Sequence, residues 1–448
     1  MNKIYNIIDQ QFDEFVKELK ELISIPSVYL EDDSEFPFGA PIDSALRKTL
    51  SIAESLGFKT YYDPEGYYGY ADYGTGDEMI GVLGHLDVVP AGDLEKWTTG
   101  PFEAVIKDNN LYGRGTQDDK GPTLAALYAF KAVVDSGEAI NKTVRFIFGI
   151  DEELLWRSIS KYVEKERTPD YGFTPDASFP LIFAEKGLLQ VDFISENKSG
   201  LTFKGGDAYN AVPSTMTIST KESSSLINAL DILDFEHKTD GDSVTVIGKS
   251  MHAKDADKGI NAVARMLTAV KEIGWDSQAI RFVTEQIGED ALAKSIFGEC
   301  HDDVSGALKF NVGKVELNES QEILNIDIRI PVTVTKEFVW EKLTQISNEY
   351  GFKMVENDYL RSIYTPLDAP LVNNLMSSYV EVTNDTTSQP VSSGGATYAR
   401  AMDNCVAFGA AFPTTKETEH QPNEFINLDE LKLAMNIYAN AFTKLLKK

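Results

Sequence analysis

Apolar residues near the start of the chain recur at helical spacing. They are Phe12, Phe15, Val16, Leu19, Leu22 and Ile23, and they predict an amphipathic helix that ends near Pro26. A second helix is predicted from about Pro41 to Leu56, because Gly57 is a typical helix stop. The pattern therefore predicts that the chain opens with two helices.

A strand–helix–strand pattern follows. Met79–His85 reads MIGVLGH, a continuous apolar run of strand length, and Thr143–Ile150 reads TVRFIFGI. Between these two strands, Gly121–Val134 has the residues of a helix. Short apolar strands joined by a helix are typical of an α/β sheet that helices cover on both faces. We therefore predict an α/β fold for this part of the chain.

The middle of the chain has a different pattern. From about Glu185 to Tyr364, alternating strands such as ILNIDIRIPV are mixed with a few helices, among them Asn261–Ile273. Helical periodicity returns at Leu371–Val382 and Leu428–Leu446. We therefore predict an α/β domain that is interrupted by an inserted α+β domain. The predicted bounds are 1–184 and 365–448 for the two parts of the α/β domain and 185–364 for the insertion.

Composition and charge narrow the class of protein. Of the 448 residues, 42% are hydrophobic and 25% are charged, the mix of an ordinary soluble globular protein. Lys and Arg number 42 and Asp and Glu 70, so the net charge is −28, and such a field repels nucleic acid and anionic lipid. The two cysteines, Cys300 and Cys405, form no CxxC, and the N-terminus has no signal-peptide core. We therefore expect a cytoplasmic protein with no nucleic-acid or membrane partner.

The first candidate for chemistry is His85 in GHLDVVP, at the end of the predicted Met79–His85 strand. Ligands bind at the carboxyl edge of open α/β sheets, where such strand ends lie. Asp87 is two residues further, so both side chains point to one side of an extended segment. A carboxylate beside a metal-bound histidine fixes the tautomer of the ring. On its own, the pair is at least as typical of a core histidine that a nearby acid satisfies.

Three acidic clusters offer further carboxylates. They are Asp118–Asp119 in GRGTQDDKGP, Asp151–Glu153 in GIDEELLW, and Asp176 in FTPDASFP. The first pair precedes a predicted helix, where it could simply interact with the helix dipole, or one of the two acids could be a hard oxygen ligand. The second cluster follows a predicted strand directly, so it could meet His85 in one cleft. The third lies between prolines, in a stretch with little helical or strand character and with the residues of a turn.

Two features near the C-terminus complete the candidates. His420 lies in TKETEHQPNEFI, where a single histidine is typical of a surface loop. The Gly-rich Ser392–Arg400 (SSGGATYAR) lacks P-loop spacing and a clear preceding strand, so it supports phosphate binding weakly. Together, the clusters supply two imidazoles and at least three carboxylates without cysteine. That is the ligand set of a hydrolytic zinc site, and two metals that share a carboxylate are the usual two-metal hydrolase arrangement.

The motifs occur in an ordered series. In chain order they are GHLDVVP, W-x-x-x-P-F at Trp97–Phe102, LYGRGTQDDKGP, DEE, FTPDA, EKG, GGATYAR and ETEHQPNE. With this series the chain resembles the aminoacylase, carboxypeptidase G and PepV family of co-catalytic zinc peptidases, and most of all its PepV-type dipeptidase branch. The resemblance spans essentially the whole chain. It implies a zinc-peptidase-like catalytic domain, with a mixed sheet flanked by helices, that is interrupted by an α+β lid domain.

The resemblance implies a set of metal ligands. They are His85, Asp118, Glu153, Asp176 and His420. Asp118 would bridge two Zn²⁺, with His85 and Asp176 on one ion and Glu153 and His420 on the other. Mn²⁺ or Co²⁺ would suit the same ligands. The family usually also has a cis peptide after the bridging residue, which corresponds to Asp118–Asp119.

The resemblance also implies which residues act on the substrate. Glu152 would be the general base that takes a proton from water, and Asp87 would orient the first histidine ligand. In the lid, His252 would stabilise the oxyanion. Asn210 and Arg329 would hold the C-terminal carboxylate of the substrate, since a guanidinium suits a bidentate grip.

The chain departs from the family pattern at a few positions. Leu154 and Leu155 follow DEE, where the family usually has a small or polar residue. Ala396 stands where a third glycine is common. Because the implied ligands and base are all present, these changes bear on substrate preference or rate more than on metal binding.

We therefore predict a cytoplasmic dinuclear metallopeptidase, a dipeptidase for Xaa-Xaa or β-Ala-Xaa with a free N-terminus. Its partner is a small peptide substrate, and the large insertion favours a monomer, with a homodimer as the alternative. An N-acyl-amino-acid deacylase of the same family and a catalytically impaired metal-binding homologue are the alternative functions. A two-metal phosphoesterase is disfavoured, because only Arg114, Lys120 and Arg157 lie near the ligand motifs for a phosphate clamp.

Overall fold

The computed structural model describes residues 1–31 and 35–447. In this part of the chain the α-helices are α1 (Asn2–Ile23), α2 (Ala40–Ser55), α3 (Lys120–Asp135), α4 (Arg157–Lys165), α5 (Ser223–Ile232), α6 (Ala262–Glu272), α7 (Gln278–Phe282), α8 (Lys294–Phe297), α9 (Lys336–Tyr350), α10 (Pro370–Thr383) and α11 (Leu428–Leu445). The strands are β1 (Lys59–Tyr62), β2 (Gly69–Tyr73), β3 (Met79–His85), β4 (Val105–Lys107), β5 (Asn110–Tyr112), β6 (Thr143–Gly149), β7 (Tyr171–Thr174), β8 (Ala177–Ser178), β9 (Ile182–Glu185), β10 (Gly187–Glu196), β11 (Phe203–Gly205), β12 (Thr215–Ser219), β13 (His237–Asp240), β14 (Ser243–Ile247), β15 (His301–Asp302), β16 (Gly306–Ala307), β17 (Lys309–Leu317), β18 (Gln321–Ile330), β19 (Lys353–Leu360), β20 (Ile363–Tyr364), β21 (Val391–Ser393), β22 (Cys405–Ala407), β23 (Ala410–Ala411) and β24 (Phe425–Asn427).

The chain divides into two units. Unit 1 comprises Met1–Phe183, Tyr364–Val391 and Thr397–Lys448, and unit 2 comprises Ala184–Ile363 and Ser392–Ala396. The short segment Ser392–Ala396 thus belongs to unit 2, whereas the sequence analysis keeps all of 365–448 together. Its backbone explains the assignment, because the amide of Lys186 donates to the carbonyl of Ser393 at 2.9 Å.

Unit 1 is built around a mixed sheet. Its strands run in the order β1, β2, β6, β3, β7, β22 and β9. β6, β3, β7 and β22 are parallel, whereas β1 and β2 pair antiparallel at one end. All seven residues of β3 are buried, as expected for a strand that is covered on both faces. The predicted α/β fold, a mixed sheet flanked by helices, is confirmed.

Alternating side chains of β6 face different helices. Phe146 packs against Phe130 of α3 and Phe442 of α11, with ring centroids 6.0 Å away in each case. Arg145 points to the other face, where it donates to the hydroxyl of Tyr162 on α4 at 3.3 Å. Within the described residues, no helix combines the length and apolar character that crossing a membrane requires.

The parallel strands end at one edge of the sheet. His85, the last residue of β3, is the register partner of Gly149, the last residue of β6. β7 runs parallel on the other side of β3 and ends at Thr174. The segments that follow these strands therefore leave the sheet side by side, as the sequence analysis expects for the carboxyl edge of an α/β sheet.

Two local predictions are wrong. The sequence indicates little strand character around Asp176, but β7 and β8 flank this residue. It also indicates no clear strand before the Gly-rich segment, where β21 lies. β8 and β21 are short strands that pair with distant parts of the chain, β8 with β23 and β21 with β9. No local periodicity therefore marks them in the sequence.

Unit 2 combines antiparallel sheets with helices. A five-stranded sheet runs in the order β11, β17, β18, β10, β19, and a three-stranded sheet in the order β12, β14, β13. Buried side chains from both sheets and from α6 form one apolar core, for example Val191, Phe193, Val246, Leu267 and Ile328. The unit therefore has the α+β character that the sequence predicts for its strands and helices.

Phe442 provides a test of the core of unit 1. Its ring is fully buried and lies 5.1 Å from Phe130 and 5.7 Å from Phe173 between centroids. We expect Phe442→Ala to lower the free energy of unfolding by about 3–5 kcal/mol, because it leaves a cavity in a packed aromatic cluster. Urea denaturation measures the change. Phe338→Ala is the matched control, because that ring is 39% exposed; an equal loss in both variants would contradict the packing described for α11.

Candidate metal centre

The structure brings five of the predicted site residues together at the carboxyl edge of the unit 1 sheet. They form two clusters, His85–Asp118–Asp176 and Asp118–Glu153–His420, and within each cluster the possible ligand atoms lie within 4.8 Å of one another. His85, Glu153 and Asp176 converge because β3, β6 and β7 are parallel and these residues lie at or after the strand ends. Asp118 and His420 lie on the segments before α3 and β24. Asp118 belongs to both clusters.

The first cluster is buried at the end of β3. His85 Nε2 lies 2.8 Å from Asp118 Oδ1 and 3.6 Å from Asp176 Oδ2. The side chain of His85 is only 1% exposed. Its imidazole is therefore enclosed, with one nitrogen directed at two carboxylates.

The second cluster lies at the opposite oxygen of the shared carboxylate. His420 Nε2 lies 2.9 Å from Asp118 Oδ2 and 3.1 Å from Glu153 Oε1. The imidazole is half exposed, whereas the two carboxylates are largely buried. Asp118 therefore offers one oxygen to each histidine.

The tautomer of His85 shows that this arrangement fits a cation. Its Nδ1 lies 3.0 Å from the backbone carbonyl of Asp87, which can only accept a hydrogen bond, so Nδ1 carries the proton. Nε2 is then the nitrogen that faces the oxygens of Asp118 and Asp176. Such a close approach is favourable only when a proton on Nε2 or a metal ion lies between the nitrogen and the carboxylates. Imidazole and carboxylate ligands without cysteine are the donor set of hydrolytic zinc sites.

The ionisation of the cluster follows from the same crowding. Burial lowers the pKa of His85, but hydrogen bonds to Asp118 and Asp87 outweigh it, and the pKa lies well above its usual value. Hydrogen bonds to Asp118 and Glu153 raise the pKa of His420 to about 11. Burial raises the pKa of Asp176 well above its usual value, and the charge of Asp118 adds to this rise. The carboxylates therefore favour positive charge in the site, whether on the two imidazoles or on a bound cation.

Glu152 lies between the end of β6 and Glu153, where the charge of Asp118 acts on it. Burial raises its pKa well above the usual value for a carboxyl group; the charge of His85 opposes this rise, and those of Glu153 and Asp118 add to it. A raised pKa makes a carboxylate a stronger base toward water. Glu152 is therefore placed and tuned as a candidate acid–base group.

Asp87 contacts both clusters in a way that the sequence does not predict. Its backbone carbonyl, rather than its carboxylate, makes the shorter contact with His85 Nδ1, since Oδ1 of the carboxylate lies 3.5 Å away. Its Oδ2 accepts a hydrogen bond from the backbone amide of Glu153 at 3.0 Å. Asp87 therefore links the ends of β3 and β6, and so connects one ligand of each cluster.

Glu424 is a residue of the site that sequence reasoning missed. Its Oε1 accepts hydrogen bonds from the backbone amides of Gly115 and Gln117 at 3.0 and 2.9 Å, and its Oε2 lies 2.6 Å from Arg114 Nη1. Both charged side chains are almost fully buried. Burial raises the pKa of Glu424 to about 7, and the Arg114 charge opposes that rise. The pair fixes the loop that presents Asp118.

Asp119 positions the same loop from the other side. Its Oδ2 accepts hydrogen bonds from Thr123 Oγ1 at 2.6 Å and from the backbone amide of His85 at 3.1 Å. It therefore links the start of α3 to the end of β3. The predicted cis peptide between Asp118 and Asp119 is confirmed.

Tyr398, within GGATYAR, is a second residue that the sequence did not single out. Its ring lies edge-on to His85, with centroids 6.2 Å away, and it is 1% exposed. A side chain at Gly149 would come within 2.2 Å of this ring, so glycine at the end of β6 makes room for it. Tyr398 therefore packs against the buried histidine.

The three residues predicted to hold the substrate lie in unit 2. Asn210 and His252 are on paired backbone segments, because the carbonyl of Asn210 accepts from the amide of Ala253 at 2.8 Å. His252 Nδ1 accepts from the amide of Lys254 at 3.1 Å, which leaves Nε2 as the protonated nitrogen. Desolvation, followed by the charges of Arg329 and Lys254, lowers the pKa of His252 to about 4. The ring is therefore neutral at pH 7.

Arg329 is held in place by its own neighbours. Its Nε and Nη2 donate to the two carboxylate oxygens of Asp327 at 2.7 and 3.0 Å, and Nη1 donates to the carbonyl of Gly394 at 2.9 Å. A guanidinium group has five N–H donors. Donors on Nη1 and Nη2 are therefore left to bind a further acceptor.

Comparison with known proteins identifies relatives over the whole chain. Residues 81–444 match the family model described as Peptidase family M20/M25/M40. A Staphylococcus aureus protein named "Putative dipeptidase SAB1611c" is 35% identical over 474 aligned residues, which cover 98% of each chain.

Two solved structures share the fold at low sequence identity. The di-peptidase Dug1p from Saccharomyces cerevisiae has a TM-score of 0.63 at 13% identity and covers 100% of this chain and 98% of its own. The M20 family metallo-carboxypeptidase Sso-CP2 from Sulfolobus solfataricus has a TM-score of 0.62 at 19% identity and covers 97% of this chain and 99% of its own.

The shared carboxylate predicts how cation binding responds to substitution. We expect the chain to bind two Zn²⁺, Asp118→Asn to weaken both, and Glu153→Gln to weaken one. Each loss of Zn²⁺ affinity should exceed the factor of about 10–100 by which removal of an outer-shell partner weakens metal binding. Isothermal titration with Zn²⁺ measures both sites, with the exposed Glu417→Gln as control. Two tight sites in Asp118→Asn would show that this residue does not bridge.

Proposed function

Because the chain belongs to the peptidase family M20/M25/M40, we propose that this metallopeptidase is a PepV-type enzyme that cleaves dipeptides with a free N-terminus. The observation that carries the proposal is Asp118, whose two carboxylate oxygens face His85 and His420. A single carboxylate between two imidazoles is the arrangement of a two-metal hydrolase. The dipeptidase name of the 35% identical Staphylococcus aureus relative supports the choice of substrate class.

The site fits two Zn²⁺ on either side of Asp118. His85 and Asp176 would hold one ion, and Glu153 and His420 the other. When bound, the ions would polarise the scissile carbonyl and lower the pKa of water toward about 7. The hydrogen bond from Nδ1 of His85 to the carbonyl of Asp87 supports this assignment, since it leaves Nε2 as the nitrogen that would bind the ion. Mn²⁺ and Co²⁺ suit the same ligands.

Glu152 is the proposed general base. It takes a proton from the attacking water and later delivers it to the nitrogen of the leaving amine, as the peptide C–N bond breaks. Its raised pKa supports the first step, because a carboxylate with an ordinary pKa would accept the proton from water less readily. Asp87 would hold His85 and Glu153 in position through its contacts with the ring of the first and the backbone amide of the second.

Three residues of unit 2 are proposed to bind the substrate. His252 is neutral with its proton on Nε2, so it can donate to the developing oxyanion without a change of protonation. Arg329 is fixed by Asp327 and retains free donors, which suits the C-terminal carboxylate of the substrate. Asn210 would donate its side-chain amide to the same carboxylate.

We also propose a cytoplasmic monomer. Cys300 and Cys405 form no disulfide, which is typical of proteins in a reducing compartment. The large inserted segment supports the monomer, as in the PepV-type branch that the sequence resembles. A homodimer is the alternative, and the molecular mass in solution distinguishes the two.

The role of Glu152 can be separated from metal binding. We expect Glu152→Gln to retain two Zn²⁺ and to lower kcat by about 10²–10⁴-fold, the usual contribution of a general acid–base group. The amide keeps the size of the side chain but cannot accept the proton. Steady-state hydrolysis of Ala-Ala, with zinc content measured on the same samples, tests this. The exposed Glu138→Gln serves as control; near-wild-type turnover by Glu152→Gln would remove this residue from the mechanism.

The substrate class can be tested with a pair of compounds. We expect the zinc-loaded protein to release amino acids from Ala-Ala but not from N-acetyl-alanine, and a chelator to abolish the release. Amino-acid analysis measures both reactions. Release from the acetylated compound alone would make the protein a deacylase, and release from neither would indicate a catalytically impaired protein.

A further inference from the structure

Unit 2 contains a polar pocket that the proposed reaction leaves unassigned. Its volume is about 320 Å³, and all its lining residues belong to unit 2. The charged residues in its wall are Lys186, Lys254, Asp255, Asp257, Lys258 and Lys309. Small-molecule sites in proteins span about 300–1,000 Å³, so this pocket suits a small ligand or one side chain of a larger ligand.

The pocket is positive in a negative chain. Four lysines and two aspartates line it, which gives a local charge of 4 − 2 = +2, whereas the chain as a whole carries −28. Lys258 pairs with Asp255 at 2.6 Å, and Lys309 pairs with Asp257. The excess positive charge therefore comes from Lys186 and Lys254.

Lys186 is the most unusual group in the pocket. It is 6% exposed, and its ammonium group donates to the backbone carbonyl of Ala307 rather than to a carboxylate. Burial, and after it the charge of Lys309, lower its pKa to about 8. A buried ammonium beside a second ammonium costs free energy unless an anion compensates it. The pocket therefore favours the binding of a negatively charged group.

The pocket adjoins the residues proposed to hold the substrate. The carbonyl of Gly394, in the pocket wall, accepts a hydrogen bond from Arg329 Nη1 at 2.9 Å. Lys254 packs against the same glycine, because a Cβ at Gly394 would lie 2.6 Å from Lys254 Cβ. The backbone amide of Lys254 also holds the ring of His252. The pocket and the proposed carboxylate site therefore share walls.

We infer that this pocket binds the acidic side chain of the C-terminal residue of the dipeptide, so that the preferred substrates are Xaa-Glu and Xaa-Asp. The inference rests on the proposed function, in which Arg329 and Asn210 hold the C-terminal carboxylate. The side chain and the carboxylate of that residue leave the same Cα, so a pocket beside Arg329 is where the side chain reaches. Lys186 and Lys309 then meet the second carboxylate of the substrate.

Isosteric dipeptides test the inference on the zinc-loaded full-length protein. Ala-Glu and Ala-Gln differ in the charge of one side chain and hardly in shape. We expect kcat/KM to be about tenfold higher for Ala-Glu, the value of one charge-assisted hydrogen bond. The reversed pair, Glu-Ala and Gln-Ala, should lack this preference, because its acidic side chain belongs to the N-terminal residue.

Two variants should change the ratio of kcat/KM between Ala-Glu and Ala-Gln in opposite directions. Lys309→Met removes a positive charge from the pocket, so the ratio should fall toward one. Asp257→Asn removes the carboxylate that pairs with Lys309, so the ratio should rise above that of the wild type. Lys238→Met is the matched control, because it removes one exposed positive charge from β13 in the same unit and should leave the ratio unchanged.

Each outcome bears on the inference. A preference for Ala-Glu that falls in Lys309→Met and rises in Asp257→Asn supports it. Hydrolysis of Ala-Ala with equal rates for Ala-Glu and Ala-Gln would overturn this inference and leave the proposed function intact. Failure to hydrolyse any of the dipeptides would overturn the proposed function and this inference with it.

Discussion

The site depends on one electrostatic constraint: the carboxylate of Asp118 lies between two imidazoles and close to three further acidic side chains. His85 directs Nε2 inward, because its other nitrogen donates to the carbonyl of Asp87. Carboxylates this close repel one another strongly in a partly buried setting unless positive charge lies among them. Two divalent cations meet that requirement, and they also supply the chemistry that peptide hydrolysis needs.

The scaffold explains how the chain holds this arrangement. Parallel strands deliver ligands from distant parts of the sequence to one edge of the unit 1 sheet, and outer side chains fix the loops between them. Glu424 binds the loop before Asp118, Asp119 joins that loop to the end of β3, and Asp87 joins β3 to Glu153. In the proposed function unit 1 carries the acid–base group, whereas the groups that recognise the substrate belong to unit 2.

Much of this could be predicted from the sequence, and the misses have physical reasons. The apolar run of β3 and the helical spacing of α1 and α11 are local signals, and the structure places those elements as predicted. Glu424 has no local signal, because its partner Arg114 lies 310 positions away and the burial of both groups depends on the folded chain. The strands around Asp176 were missed because they are stabilised by distant segments.

The choice among histidines shows the same limit. His237 and His301 lie in the same predicted domain as His252, and only the family resemblance singled out His252. In the structure His252 lies near Arg329, whose charge lowers its pKa, whereas the rings of His237 and His301 contact the backbone carbonyls of Phe235 and Glu299. Which histidine has such neighbours is decided by the fold.

The most direct test of the central claim is anomalous X-ray diffraction from crystals of the zinc-loaded protein, recorded on both sides of the zinc absorption edge. The account predicts two zinc peaks about 3.5–4 Å apart, with the carboxylate of Asp118 between them. One peak would be bounded by His85 and Asp176, and the other by Glu153 and His420. A single peak, or two peaks that do not share Asp118, would contradict the account.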